Sequence, residues 1–267
     1  MNSSSISTTR QNKAVLVTGA AKRLGREIAL EFARQGWDVA VHYGQSEADA
    51  RTTVDEIHQF GRKAQAFKAN LANEGEIQSL FAAVSTQFEN LHCLVNSASI
   101  FQYDRAHSET PLSGASLQEH MQVNLAAPIL LAQLMFEYQK KRVNEVLPSV
   151  IQVLDQKLIN LNPDYLSYTL SKSALLTSVE ILAMDFAPYL RVVGLAPGIT
   201  LPSGDQTQDG FFNAHQMTPL GKSSTPSDIA KSAVFLAQAK AITGTTLYVD
   251  GGQHLLPSTR DVMFKAN

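Results

Sequence analysis

The sequence predicts a doubly wound α/β domain, a parallel β-sheet with helices on both faces. Three observations predict it. Short β-rich runs alternate with longer stretches of helical spacing along the chain. Several of the short runs are almost continuous in Val, Ile, Leu and Ala, as burial on both faces requires. The first run feeds straight into a Gly-containing turn and then a helix.

Taken in order, Ala14–Thr18 (AVLVT) reads as a strand and Leu24–Gln35 as a helix. Asp38–Tyr43 (DVAVHY) and Ala64–Ala69 (AQAFKA) are strands flanking a helix at Glu47–Phe60. Glu74–Phe88 is helical and leads to the strand His92–Asn96 (HCLVN). A long helix, Leu117–Lys141, precedes the strand Ser149–Leu154 (SVIQVL), and a second long helix, Tyr168–Phe186, precedes Arg191–Ala196 (RVVGLA). Pro226 followed by Ser and Asp opens a helix at Ser227–Gln238, because Pro suits a first turn and Asp the positive end of the dipole. Thr246–Asp250 (TLYVD) is the seventh strand. Two stretches, Ser99–Ser116 and Gly198–Ser224, look irregular. Both follow strands at their carboxyl ends, where ligands sit in such sheets, so both are candidate substrate-binding segments.

With 267 residues, 44% of them hydrophobic, the chain suits one large domain, placed at 13–267. Residues 1–12 (MNSSSISTTRQN) are polar, lack the apolar stretch of a secretory signal, and read as a loose tail. No apolar run reaches membrane-spanning length, so a soluble cytoplasmic protein is expected. A net charge of −2 gives no global attraction to nucleic acid or a membrane surface. An anionic ligand must find a local cluster. No metal site is expected. The single cysteine, Cys93, lies among Leu91, Leu94 and Val95 and reads as a buried strand residue.

The turn after the first strand, Thr18-Gly19-Ala20-Ala21-Lys22-Arg23-Leu24-Gly25, has the context of a phosphate-binding turn. Glycine lets backbone approach a pyrophosphate, and the helix N-terminus faces the anion. A Gly-rich turn alone is a weak signal; its place after the first strand strengthens it. The second strand ends at His42-Tyr43-Gly44-Gln45-Ser46, with no carboxylate to repel a ribose 2′-phosphate. Arg23 is expected to reach that site with its guanidinium, and His42 and Ser46 to add donors. NADP(H) is therefore expected over NAD(H).

Tyr168 and Lys172 stand four apart at the start of a helix, which puts them on one face. A tyrosine with an ordinary pKa near 10 is a poor proton relay at neutral pH, and a neighbouring ammonium is expected to favour its phenolate.

Together the TGAAKRLG turn, the Asn96–Ser99 segment NSAS, Asn124, the Tyr168–Lys172 run YTLSK, Pro197-Gly198 and Val249-Asp250-Gly251-Gly252 resemble the short-chain dehydrogenase/reductase family from about Lys13 to Gly252. The resemblance implies a single Rossmann-type domain with a seven-stranded parallel sheet, assembled as a homotetramer. It implies Tyr168 as proton donor, Lys172 on the nicotinamide ribose and Asn124 supporting a proton-relay water. It also implies NADP(H) contacts from Gly19, Lys22, Arg23, Leu24, Gly25, His42, Tyr43, Ser46, Asn70, Leu71, Asn96, Ala98, Ser99, Pro197 and Gly198. Ser97 departs from an asparagine common in the family, and Asn70 from an aspartate that contacts adenine.

Thirteen residues before Tyr168, where most of the family carries a serine, stands Asp155. A carboxylate repels a developing alkoxide, yet it can bind or protonate a nitrogen heterocycle. This substitution, with HY…S at His42, Tyr43 and Ser46 and with Ser99 and Phe101, is similar to the pteridine reductase subgroup. The similarity implies a pterin or dihydropterin substrate held by Arg23, Ser99, Phe101, Asp155 and Tyr168, with Phe101 stacking on the flat ring. Two other readings stand beside it: an NADPH-dependent carbonyl reductase, for instance of 3-oxoacyl thioesters, and a non-catalytic NADP-binding sensor. The tail Leu255–Asn267 is expected near a neighbouring subunit's site, by fold analogy.

Overall fold

The computed structural model describes residues 12–107, 109, 111–144, 146–202 and 206–264. Apart from Asn12, the expected N-terminal tail lies outside them. The strands β1 (Ala14–Val17), β2 (Asp38–Tyr43), β3 (Ala64–Lys68), β4 (Leu91–Asn96), β5 (Ser149–Val153), β6 (Arg191–Pro197) and β7 (Thr246–Val249) form one parallel sheet. Their order is β3-β2-β1-β4-β5-β6-β7, the Rossmann-type winding that the sequence predicts. The chain builds outward from β1 to β3, then returns to lay β4 against the other side of β1. That reversal opens a crevice above the carboxyl ends of β1 and β4.

Alternation along β1 decides which layer each side chain joins. Val15 and Val17 pack with Ile28 and Phe32 of α1 (Arg23–Arg34) and with Ile229 and Val234 of α8 (Pro226–Gln238). Leu16 points to the other layer and joins Leu80 of α3 (Glu74–Gln87), Leu131 of α5 (Ala127–Gln139) and Leu175 of α6 (Leu166–Asp185). Each such side chain, fully buried, contributes roughly 1.5–3 kcal/mol. Cys93, on the central strand β4, is fully buried; burial pushes its thiol up to about 12. The remaining helices are α2 (Glu47–Gln59), α4 (Gly114–Met121) and α7 (Gln208–Gln216).

The helix ends follow local chemistry. At α8, the Thr225 hydroxyl accepts from the Asp228 N–H and the Asp228 carboxylate accepts in return from Thr225, with Pro226 in the first turn. Two expectations need correction. The single helix expected at 117–141 is α4 and α5 joined by a wider, i→i+5 turn at Gln122–Ala126. Pro128 supplies a reason: it cannot donate to the carbonyl four residues back, and its ring would crowd that carbonyl. The 198–224 segment, expected to be irregular, contains α7, capped by the Thr207 hydroxyl accepting from the Gly210 N–H at 3.0 Å. Among the described residues no helix is long and apolar enough to cross a membrane.

Candidate active site

A cleft of about 1520 Å³ lies above the carboxyl ends of the strands. Its cofactor half starts at the turn after β1. The Thr18 hydroxyl accepts from the N–H groups of Ser97 (3.0 Å) and Ala98 (3.1 Å), tying this turn to the end of β4. Gly19 has φ +66°, and a Cβ there would stand 2.9 Å from the Ala98 Cα; one on Gly25 would stand 2.3 Å from the Gly19 carbonyl oxygen. Only glycine lets the turn and helix close up in this way. No side chain caps α1, and its first turn has no acidic residue. Its positive end is thus left for an anion, and Lys22, Arg23, Leu24 and Gly25 line the cleft beside it. This cradle fits a dinucleotide pyrophosphate.

The edge expected to read the 2′-phosphate is built differently from the expectation. Arg23 occupies the left-handed region (φ 52°), rare for a side chain of its size, and its Nη2 donates to the Pro202 carbonyl at 2.8 Å. It therefore bridges the cofactor turn and the 198–224 segment instead of reaching the end of β2. Lys22 pairs with Asp49 at 3.1 Å on the surface. His42 is buried with both ring nitrogens engaged, accepting from the Gly19 N–H at Nδ1 (3.1 Å) and donating from Nε2 to the Ala69 carbonyl (3.1 Å). Burial lowers its pKa to about 4, so it is a neutral brace and not a phosphate donor. Tyr43 belongs to the core, and Ser46 lies outside the cleft lining, where Gly44, Gln45 and Lys68 stand. Lys68 escaped the sequence reading; the signal was a lone cation ending β3 in register with Tyr43.

Asn70, Leu71, Ala98, Ser99, Pro197 and Gly198 line the cleft as expected. Asn70 accepts from the Ala72 N–H at 3.0 Å. Asn96 does not line it. Its side chain is buried in the sheet and donates to Gln152 Oε1 (3.0 Å) and the Pro128 carbonyl (3.2 Å).

At the inner end of the cleft the structure brings together Tyr168, Asp155 and Lys172. The Tyr168 hydroxyl donates to Asp155 Oδ2 at 2.9 Å, while Asp155 Oδ1 accepts from the Lys157 N–H at 2.8 Å. Lys172, one turn along α6, donates from Nζ to the Val153 carbonyl at 2.6 Å. Burial lowers its pKa to about 8, against the opposing pull of Asp155. Burial and then the Asp155 charge hold the Tyr168 phenol well above its ordinary range. The expected drift toward phenolate is thus reversed: the group is kept as an acid. Burial also raises the Asp155 carboxyl, opposed by its two hydrogen bonds.

Asn124 is buried in the wide helical turn and does not line the cleft. Its Oδ1 accepts from the Ile100 N–H (2.7 Å) and Ser99 hydroxyl (3.2 Å), and its Nδ2 donates to the Ile100 carbonyl (2.9 Å) and Ser171 Oγ (3.1 Å). It fixes the loop that carries Ser99 and Phe101. Phe101 stands over the cleft, 40% exposed, stacked on Tyr165 at 4.1 Å and edge-on to Tyr168 at 4.8 Å. The described part of the C-terminal tail packs on this same chain: Pro257, Ser258 and Arg260–Met263 line the cleft. These residues thus form a wall of this chain's own cleft. Lys157, nearly buried in the turn after β5 and paired with Asp261 of that wall, also escaped the sequence reading.

The chain matches a family model described as enoyl-(acyl carrier protein) reductase over residues 19–254. It is similar to the solved FolM alternative dihydrofolate reductase 1 from Brucella canis, complexed with NADP. The TM-score is 0.85 at 34% identity, covering 94% of this chain and 97% of that one. It is 28% identical to 3-oxoacyl-(acyl-carrier-protein) reductase FabG of Staphylococcus aureus, over 92% of this chain and all of that protein. It is 30% identical to 3beta-hydroxysteroid dehydrogenase 1 of Eggerthella lenta, over 92% of this chain and 95% of that protein.

Proposed function

The chain belongs to the short-chain dehydrogenase/reductase family, as its match to the enoyl-(acyl carrier protein) reductase model over most of its length shows, and on that premise we propose that it is an NADPH-dependent reductase of a pterin or dihydropterin. It is an oxidoreductase whose cofactor is NADP(H). The turn at Gly19 and Gly25 and the open end of α1 would hold the pyrophosphate. Lys22, Gln45 and Lys68 would stand on the 2′-phosphate side, Asn70 and Leu71 by adenine, and Ala98, Pro197, Gly198 and Lys172 by the nicotinamide ribose. When bound, the reduced nicotinamide supplies the hydride.

One observation carries the substrate reading: the Tyr168 hydroxyl donates to a carboxylate, Asp155, at 2.9 Å. Reduction of a ring C=N adds a hydride at carbon and a proton at nitrogen. Tyr168, kept protonated, gives the proton to that nitrogen. Asp155 holds the phenol in place and relays the replacement proton from the solvent-connected cleft. Phe101 offers its ring to a flat π-system. Reduction of a ketone would instead build an alkoxide beside the Asp155 carboxylate, where like charges repel. The similarity to the Brucella FolM protein supports the same reading.

A carbonyl reductase acting on a 3-oxoacyl thioester is the second reading, and among the curated relatives it is the better supported, since FabG proteins match along their whole length. The two readings separate in one experiment. Purified protein is expected to oxidise NADPH with dihydrobiopterin, dihydromonapterin or dihydrofolate, and Asp155→Ser to lower that rate roughly 10²–10⁴-fold. No turnover of any pterin, with a 3-oxoacyl thioester or other ketone reduced well and Asp155→Ser equal or faster on it, makes the protein a carbonyl reductase.

A further inference from the structure

Asp164, in the connection between β5 and α6, does not line the cleft, yet its fully buried side chain joins two of the segments that do, and its main-chain carbonyl reaches a third. Its Oδ2 accepts from Arg260 Nε and from the Asp261 N–H, both at 2.8 Å, on the C-terminal segment. Its Oδ1 accepts from the Tyr103 hydroxyl at 3.3 Å and pairs with Arg105 at 3.7 Å, on the loop that carries Phe101. Its own carbonyl accepts from Lys157 Nζ at 2.6 Å; that ammonium also reaches Asp261 at 3.4 Å, and the Lys157 N–H holds Asp155.

A carboxylate removed from water persists only when its hydrogen bonds are made and its charge is paired. Burial works against the Asp164 charge, but Arg260, the Asp261 N–H and Arg105 outweigh it and hold the carboxyl below its ordinary range. The three segments meet outside the sheet, so no regular ladder fixes their spacing. Aromatic contacts follow the same junction: Tyr103 packs edge-on to Tyr165 (5.2 Å) and Phe264 (5.4 Å), and Tyr165 carries Phe101.

We propose that Asp164 is a positioning residue that sets the width of the substrate half of the cleft, latching the C-terminal segment to the loops that carry Phe101 and Asp155. The proposal rests on the reductase reading above. Among the described residues the part of the cofactor half built on β1, α1 and the ends of β2 and β3 has no bond to the latch, so the two halves respond separately to its loss.

The test compares full-length wild type with Asp164→Asn, Arg260→Gln and Arg260→Lys. It measures NADPH affinity by fluorescence, steady-state kinetics with whichever substrate the wild type reduces, and amide hydrogen exchange. In Asp164→Asn and Arg260→Gln, KM for that substrate is expected to rise about tenfold and kcat to change less. NADPH affinity should stay within about twofold, and amides of 257–264 should exchange faster. Arg260→Lys, which keeps the charge, should recover part of the KM. A wild-type KM in both variants, or a parallel loss of NADPH affinity, overturns the latch. If Asp164→Asn does not fold, Arg260→Gln, altered at a partly exposed partner, decides by the same criteria. A wild type that reduces neither substrate class overturns the reductase reading instead, and the exchange of 257–264 still decides the latch.

Discussion

Lys172 keeps its ammonium in a buried place, 2% exposed, with Val153 as its hydrogen-bond acceptor, and burial pulls its pKa from 10.5 to about 8. The folded protein therefore releases this proton before the unfolded chain does. Between about pH 8 and 10.5 the unfolded state binds more protons, so this residue makes stability rise with pH across that window, its cost being fullest below 8. Activity should run the other way if the ammonium holds the cofactor ribose. In a pH profile, kcat/KM is expected to fall as pH passes about 8, and Lys172→Arg to move that limb upward. A profile flat from pH 7 to 10 would show that the charge is not needed. At this scale the sequence revealed spacing but not orientation. Asp155, Tyr168 and Lys172 meet because their separations suit one strand end and one helix face. His42, Tyr43 and Asn96 turned out to be braces or core, because their partners (Ala69, Pro128, Gln152) come from other elements. Asp164 was invisible for the same reason: its partners Arg260 and Asp261 are nearly a hundred residues away.

Helix α6 presents Tyr168 and Lys172 to the cleft, and its start is held from outside. Tyr165 enters it in the left-handed region (φ 56°) without a side-chain cap, and the Asp104 carboxylate, from the loop before α4, accepts from the Ser167 N–H at 2.9 Å. Asp104 also takes the Ser167 and Ser116 hydroxyls. Replacing it leaves buried donors next to Tyr168 without a partner, at a cost of about 1–3 kcal/mol. Asp104→Ala is expected to lower the thermal midpoint by on the order of 5 °C and to reduce kcat more than NADPH affinity. An unchanged midpoint in calorimetry would show that the helix start holds itself. The sequence placed this helix two residues late, since the cap comes from another loop and the N-cap position itself is Tyr165 rather than Ser, Thr, Asp or Asn. The wide turn at Gln122–Ala126 was missed for a related reason: the apolar periodicity continues across it, and only Pro128 marks the break.

Over the whole molecule, the strand count, the parallel sheet and the crevice were legible, because all three follow from alternation of element types and the apolar density of the strands. The C-terminal wall was not, since its docking depends on buried charge and aromatic stacking rather than on any periodic pattern. The family resemblance brought the cofactor within reach, while the proposed substrate rests on the one carboxylate at Asp155 and on walls that only the folded chain assembles.

The lone thiol of Cys93 has a practical use that follows from its place on β4. It is fully buried between β1 and β5, and with its pKa near 12 almost none is thiolate at neutral pH. A reagent such as an aromatic disulfide can reach it only when the centre of the sheet separates. Its labelling rate is thus a clock for global opening, readable in native buffer and without a denaturant. NADPH should slow that clock in proportion to its occupancy of the folded state, and labelling unaffected by saturating NADPH would mean that β4 opens in molecules that still hold the cofactor.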